Sequence, residues 1–398
     1  MFSQKIVEGL GKSSLIRAMF EEGERLKKIY GPENVFDFSI GNPEAEPPRE
    51  VQESIRKYTG EEHSGIHRYM SNAGFADVRE KVAAYMEKKS GVAFSKEQVL
   101  MVCGAAAGLN ITLKALLNPG EEVIVLSPYF VEYLTYIDNA GGTPVIVKTV
   151  KDTFRIDVEA VEKAITERTK AIILNSPNNP TGVVYSRSEL EKLNDVLKKR
   201  EEELGIAIYV ISDEPYVSIA YDGVEVPSMA GIFKNSITVN SFSKSLALPG
   251  ERIGYVAASS LIEGAETLMA AMVVLNRTLG FVNAPALFQK VVADNLDTSV
   301  EIEYYKQNRD LLYSHLTSLG FTCVKPEGAF YLFLKSPVEN ETQFCKKAVE
   351  FNLLFVAGSG FGSPGYVRIA YCYDKSVIER SLDAFTKLAK SYGAQLDN

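Results

Sequence analysis

The sequence predicts an α/β protein with a mostly parallel central sheet flanked by helices, followed by a smaller α+β domain. Three observations carry this. From residue 98 onward, short continuous apolar runs alternate with segments of helical spacing, the pattern of strands covered on both faces. After about residue 260 that rhythm gives way to long helices and short strands. The chain has 398 residues, 46% hydrophobic and 24% charged, enough to bury more than one core.

Residues 13–30 read as an amphipathic helix, with Leu15, Met19, Leu26 and Ile29 at helical spacing, Ser13 or Ser14 as cap, and Gly31-Pro32 as stop. A strand, Val35 to Ile40, leads into the proline-rich loop Gly41 to Pro48, an extended arm or a pocket rim. Helices are expected at 49–59 and 74–90. Strands are expected at 98–103, 122–126, 144–150, 170–175, 207–212 and 237–240, with helices at 105–117, 130–140, 157–166 and 187–204 between them. Beyond lie helices at 260–276 and 283–316, strands at 321–324 and 329–334, a helix at 341–351, strands near 353–356 and 366–371, and a helix from 375. This divides the chain into an N-terminal helix and arm (1–45) packing with the small domain, a large domain (46–285) and a small C-terminal α+β domain (286–398).

A net charge of -8 argues against nucleic acid or anionic membranes as partners. No apolar run suits a bilayer span, and Met1 to Lys5 lacks a secretory apolar region, so a cytoplasmic protein is expected. Cys103, Cys323, Cys345 and Cys372 are scattered and read as reduced thiols. His63 and His67 stand four apart without accompanying carboxylates, so no metal site is expected. Gly358 to Gly365 partly imitates a dinucleotide loop, but a strand pattern follows it where a helix is required.

Chemistry concentrates around Ser241-Phe242-Ser243-Lys244, with Arg252 eight positions on. A desolvated lysine condenses with aldehydes, while hydroxyls and an arginine suit a phosphate. Together they point to pyridoxal 5'-phosphate, which presents both groups. Gly104, Ala105 and Ala106 open a helix after a strand, where backbone N–H groups can meet a phosphate; small residues there also suit tight packing. Asn179 lies in Asn178 to Gly182 after another strand, at a ligand-binding edge or simply in a turn. Asp213 closes the next strand and would either face a ligand or cap the following segment. Arg368, inside an apolar strand, requires a carboxylate, from a ligand or from the protein.

In this order, and with intervals of 34 residues from Asn179 to Asp213, 31 to Lys244 and 8 to Arg252, the set resembles the class I/II pyridoxal-phosphate aminotransferases of fold type I, over Gly41 to Arg368. The resemblance implies a Schiff-base lysine and proton shuttle at Lys244 and a ring-nitrogen partner at Asp213. It implies bonds to the ring's phenolic oxygen from Tyr216 and Asn179, and stacking by Phe130. The phosphate would be held by Gly104, Ala105, Ala106, Ser241, Ser243 and Arg252. Tyr69 would reach the phosphate of a neighbouring subunit, which implies a homodimer with shared sites. Arg368, with Asn179 and the backbone at Gly41, would clamp the carboxylate of an amino acid or 2-oxo acid, and turnover would be ping-pong. Ala106 stands where some aspartate-using members carry a basic residue, a role that another Arg or Lys, Arg277 for example, would fill if aspartate is the substrate; tyrosines near the pocket would instead suit aromatic or neutral substrates. A lyase, decarboxylase or synthase on the same scaffold would keep the same cofactor residues. A cofactor-sensing regulator would need a DNA-binding module, for which the sequence shows no pattern.

Overall fold

The structure, a computed structural model, describes residues 4, 6–7, 15–60 and 65–393. Ser13, Ser14 and His63 lie outside the described residues. The strands, in chain order, are β1 (Phe36–Asp37), β2 (Val99–Val102), β3 (Glu122–Ser127), β4 (Thr143–Lys148), β5 (Thr169–Asn175), β6 (Tyr209–Asp213), β7 (Ser236–Ser241), β8 (Gly254–Ala258), β9 (Tyr331–Lys335), β10 (Leu353–Leu354), β11 (Val356–Ala357) and β12 (Tyr366–Ala370).

Seven of them form one sheet in the order β2-β8-β7-β6-β5-β3-β4. Only β8 runs against its neighbours, so the sheet is mostly parallel as expected. The apolar runs are continuous because both faces are covered. Val123, Val125, Ala171 and Ile173 pack with Leu109, Ile111 and Leu113 of the helix Gly104–Leu116. Their alternates Ile124, Leu126, Ile172 and Leu174 pack with Leu190, Leu193 and Leu197 of the helix Arg187–Leu204. The second helix starts on a reciprocal Ser186–Glu189 capping box and ends at Gly205 in the left-handed region (φ 64°). The first lies so close to the sheet that a Cβ on Gly108 would stand 2.7 Å from Val239 Cγ1.

Further along, β11, β12 and β9 form an antiparallel sheet in that order. Its core draws on Leu312 and Leu316 of the helix Ile302–Ser318 and on Phe385 and Leu388 of the helix Lys375–Lys390. Phe36 and Phe38 join this core, and β1 pairs in parallel with β10.

Several expectations need correction. Residues 253–258, to which the sequence reading above assigns no element, contain the antiparallel strand β8. The expected helix 283–316 is two, Ala286–Ala293 and Ile302–Ser318. Between them Asn295 Nδ2 donates to Val291 O at 2.7 Å, ending the first helix, and Ser299 Oγ donates to Val300 O at 2.9 Å. The helix placed at 260–276 starts at Ala265, after a turn closed by Gly264 at φ 74°. The strand expected at 321–324 reduces to one bridge, Cys323 to Leu334. Lys244 does not end a strand but rides on the single helical turn Phe242–Ser245. Among the described residues, no helix is long and apolar enough to cross a membrane.

Candidate active site

The parallel strands deliver polar side chains to one edge. Asn175 ends β5 opposite Asp213, which ends β6, and Ser241 ends β7. Ligands gather at this carboxyl edge of open α/β sheets. There a cavity of about 330 Å³ opens, lined by Gly41, Ala105, Ala106, Phe130, Asn179, Asp213, Tyr216, Ser241, Ser243, Lys244, Arg252 and Arg368. Twelve of the fourteen expected site residues therefore meet in one space. Gly104 stands just behind it, where a Cβ would come within 2.7 Å of Arg252 Nη2. Tyr69 is 94% exposed and does not line the cavity of its own chain. Arg277, like Tyr69, is outside the lining.

Lys244 is held by its helical turn, which Ser241 caps by accepting the Ser243 N–H. Its amine donates to Gly41 O at 2.5 Å. Burial, with smaller contributions from the Arg368 and Arg252 charges, pulls this amine down to about 8. Asp213 is 5% exposed. Burial pushes its carboxyl up to about 7, although the Tyr133 hydroxyl donates to Oδ2 at 2.5 Å and opposes that rise. Oδ1 has no hydrogen-bond partner.

Arg368, in the middle of β12, is 3% exposed. Its Nη1 donates to Asn179 Oδ1 at 3.1 Å and its Nη2 to Ser39 O at 2.6 Å, and the guanidinium lies 4.6 Å from the Tyr331 ring centroid. Asn179 is fixed in turn by its own N–H, which donates to Asn175 Oδ1 at 2.7 Å. Tyr216 Oη is 2.9 Å from Tyr331 Oη. Ser241 and Ser243 hydroxyls lie 2.9 Å apart, and Arg252, in the left-handed region at φ 53°, reaches Ser243 Oγ at 3.4 Å.

Among the lining or supporting residues that escaped the sequence reading are Glu132, Tyr133, Asn175 and Tyr331. Tyr133 and Tyr331 look like core aromatics in sequence, and they do pack as such. The signal for Asn175 was available, since it ends an apolar strand four residues before Asn179. Glu132 opens the helix Glu132–Ala140, where acids are commonplace.

These residues fit pyridoxal phosphate. A carboxylate that lines the cavity and has one buried oxygen free of partners suits a protonated ring nitrogen. The Gly104 cradle, two hydroxyls and Arg252 suit its phosphate.

Comparison with known proteins gives the same answer. Residues 33–385 match the family model of aminotransferase class I and II. The chain is 32% identical over 390 residues to an aromatic-amino-acid aminotransferase 2 of Thermococcus litoralis, covering 95% of this chain and 96% of that one. An aspartate aminotransferase of Thermotoga maritima is 33% identical over 360 residues, covering 89% and 91%. The crystal structure of an amino transferase from Eubacterium rectale superposes with a TM-score of 0.95 at 42% identity, covering 99% of this chain and 100% of that one. The chain belongs to the class I and II aminotransferases, and is a pyridoxal-phosphate-dependent enzyme whose substrates are amino acids and 2-oxo acids.

Proposed function

We propose that this enzyme moves an amino group from an amino acid to a 2-oxo acid in a ping-pong cycle, with Lys244 as the covalent anchor and the proton carrier. When bound, pyridoxal phosphate supplies an aldehyde that condenses with amines and a ring that accepts electrons from the substrate Cα. The chain's own residues do the rest. Arg368 takes the substrate α-carboxylate as a fork, its plane set by Asn179 Oδ1 and Ser39 O. Lys244 Nζ, near 8, is neutral often enough at ordinary pH to accept a proton and acidic enough to return it. Asp213 would hold the ring nitrogen in its protonated form, and the Tyr133 hydroxyl favours the ionised Asp213 carboxylate against the effect of burial.

Tyr216 and Asn179 would hydrogen-bond the cofactor's phenolic oxygen, and Phe130 would supply an aromatic face for its ring. The amides of Gly104, Ala105 and Ala106, with Ser241, Ser243 and Arg252, hold the phosphate. Tyr69, exposed on its own chain, fits the same phosphate in a second copy, so the working form is a homodimer with shared sites. The arm 1–45 and unit 286–398 act as a small domain against the large domain 46–285, and the enzyme works in the cytoplasm.

One observation carries this reading: the Lys244 amine is acidified by burial in the same cavity as Asp213 and Arg368. The test is borohydride reduction of the protein with pyridoxal phosphate, then peptide mass mapping. The adduct mass should sit on Lys244 and be lost in Lys244→Ala, together with transamination. An adduct on another lysine, or undiminished turnover of the variant, would refute it.

A further inference from the structure

Glu132 is the acidic side chain in the cavity that the proposed cofactor and carboxylate contacts do not use. Among the charged lining residues, Lys244, Asp213, Arg252 and Arg368 have roles above. Glu132 lines the same space, and its Oε2 is buried without a hydrogen-bond partner. Burial raises its carboxyl above the usual range, with its own backbone N–H and the Arg368 charge pulling the other way. The start of the helix Glu132–Ala140 explains why an acid is tolerated at this position. It does not explain a carboxylate that lines a cavity while one of its oxygens is left without a donor.

A second observation bears on the same question. Ala106, also in the lining, offers no charge to a second carboxylate, and Arg277 of the same chain does not line the cavity. An acid has been added and no spare base is present among the described lining residues. A substrate whose side chain ends in a carboxylate would meet like charge in a poorly hydrated space. One ending in an amide, ammonium or guanidinium would satisfy the free oxygen.

We infer that Glu132 is a specificity-determining residue that selects amino donors whose side chains end in a nitrogen hydrogen-bond donor and disfavours dicarboxylic ones. This rests on the reading above for the place of the α-carboxylate at Arg368. The relatives named aspartate aminotransferases are thus similar in fold and family but not in the side chain this pocket prefers.

The test uses the holoenzyme and unreactive carboxylates, so that it does not depend on turnover. Titration calorimetry with 4-guanidinobutanoate, succinamate and succinate should give affinities in that order for the wild type. In Glu132→Gln, the guanidinium ligand should weaken at least tenfold and succinate should tighten at least tenfold, with succinamate changing less than threefold. Half-reaction rates with arginine, asparagine and aspartate should reorder in the same sense. Glu132→Ser, with an unchanged melting temperature, separates charge from loss of fold. Parallel changes for all three ligands would mean that the carboxylate supports the protein rather than reads the substrate, and would overturn the inference. So would a wild type that binds succinate best. Failure of the Lys244 test with this ordering intact would instead remove the catalytic reading alone.

Discussion

Tyr133→Phe isolates one hydrogen bond without changing packing. The ring sits edge-on to Phe130 with centroids 5.5 Å apart, and phenylalanine preserves that contact. What disappears is the donation to Asp213 Oδ2 at 2.5 Å, with both groups buried. A hydrogen bond to a charged acceptor contributes about 1.5–3 kcal/mol net. At 1.36 kcal/mol per pKa unit this raises the Asp213 carboxyl by roughly 1–2 units above the value of about 7 it has in the wild type. Binding pyridoxal phosphate with a protonated ring requires the ionised carboxylate. Near neutral pH the variant must therefore pay an extra ionisation cost, and its Kd should rise about tenfold. Above roughly pH 10 the free carboxyl is ionised in both proteins, so the defect should shrink towards nothing. Equilibrium dialysis of cofactor-free protein across that range, expressed as the ratio of variant to wild type, measures this. An unchanged Kd near pH 7 would refute the argument, and a defect independent of pH would show that the hydroxyl acts through structure instead.

Other outcomes follow from the same geometry. Arg368→Lys replaces a planar fork with a point charge and loses about 2–3 kcal/mol of charge-assisted bonding, so kcat/KM should fall about 100-fold for all amino acids tested. A loss below threefold would place the substrate carboxylate elsewhere. Asp213→Asn addresses stability in the cofactor-free protein. A carboxyl raised from 3.8 to about 7 gives stability that is fully present below the lower value and is lost as pH rises through the upper one. The variant should therefore gain on the wild type as pH rises from about 4 to 8, by at most on the order of 4 kcal/mol. Urea unfolding across that range reads the gap, and a constant difference would show that Asp213 is not the titrating group.

The fold was legible because apolar runs and charged helix faces report burial directly. Ile124, Leu126, Ile172 and Leu174 are buried on one face, and their alternates on the other, so no residue breaks the pattern. Helix limits were less legible after residue 260, where they depend on side chains such as Asn295 bonding across to Ser54 at 2.9 Å, a contact invisible to local reading. Site residues at strand ends were readable from position and chemistry together. Tyr133 was not, because its function lies in one oxygen on an otherwise apolar ring that takes part in the core. Tyr331 escaped for the same reason: it sits in β9 among core residues, and only the fold brings it to Tyr216 and Arg368.

Three of the buried polar atoms without hydrogen-bond partners belong to residues lining the one cavity: Asp213 Oδ1, Arg368 Nε and Glu132 Oε2. Each costs about 1–3 kcal/mol, more when charged, unless a partner offsets it. In the proposed reading, a protonated ring nitrogen would offset the first and a substrate carboxylate would neutralise the arginine of the second. The third is of the opposite sign to Arg368 and cannot be matched by either carboxylate of a dicarboxylic substrate in its ionised form. If the same physical rule that explains Asp213 and Arg368 holds for Glu132, the missing partner is a donor on the substrate side chain. The specificity of the enzyme is then written in the atom that its cofactor leaves unsatisfied.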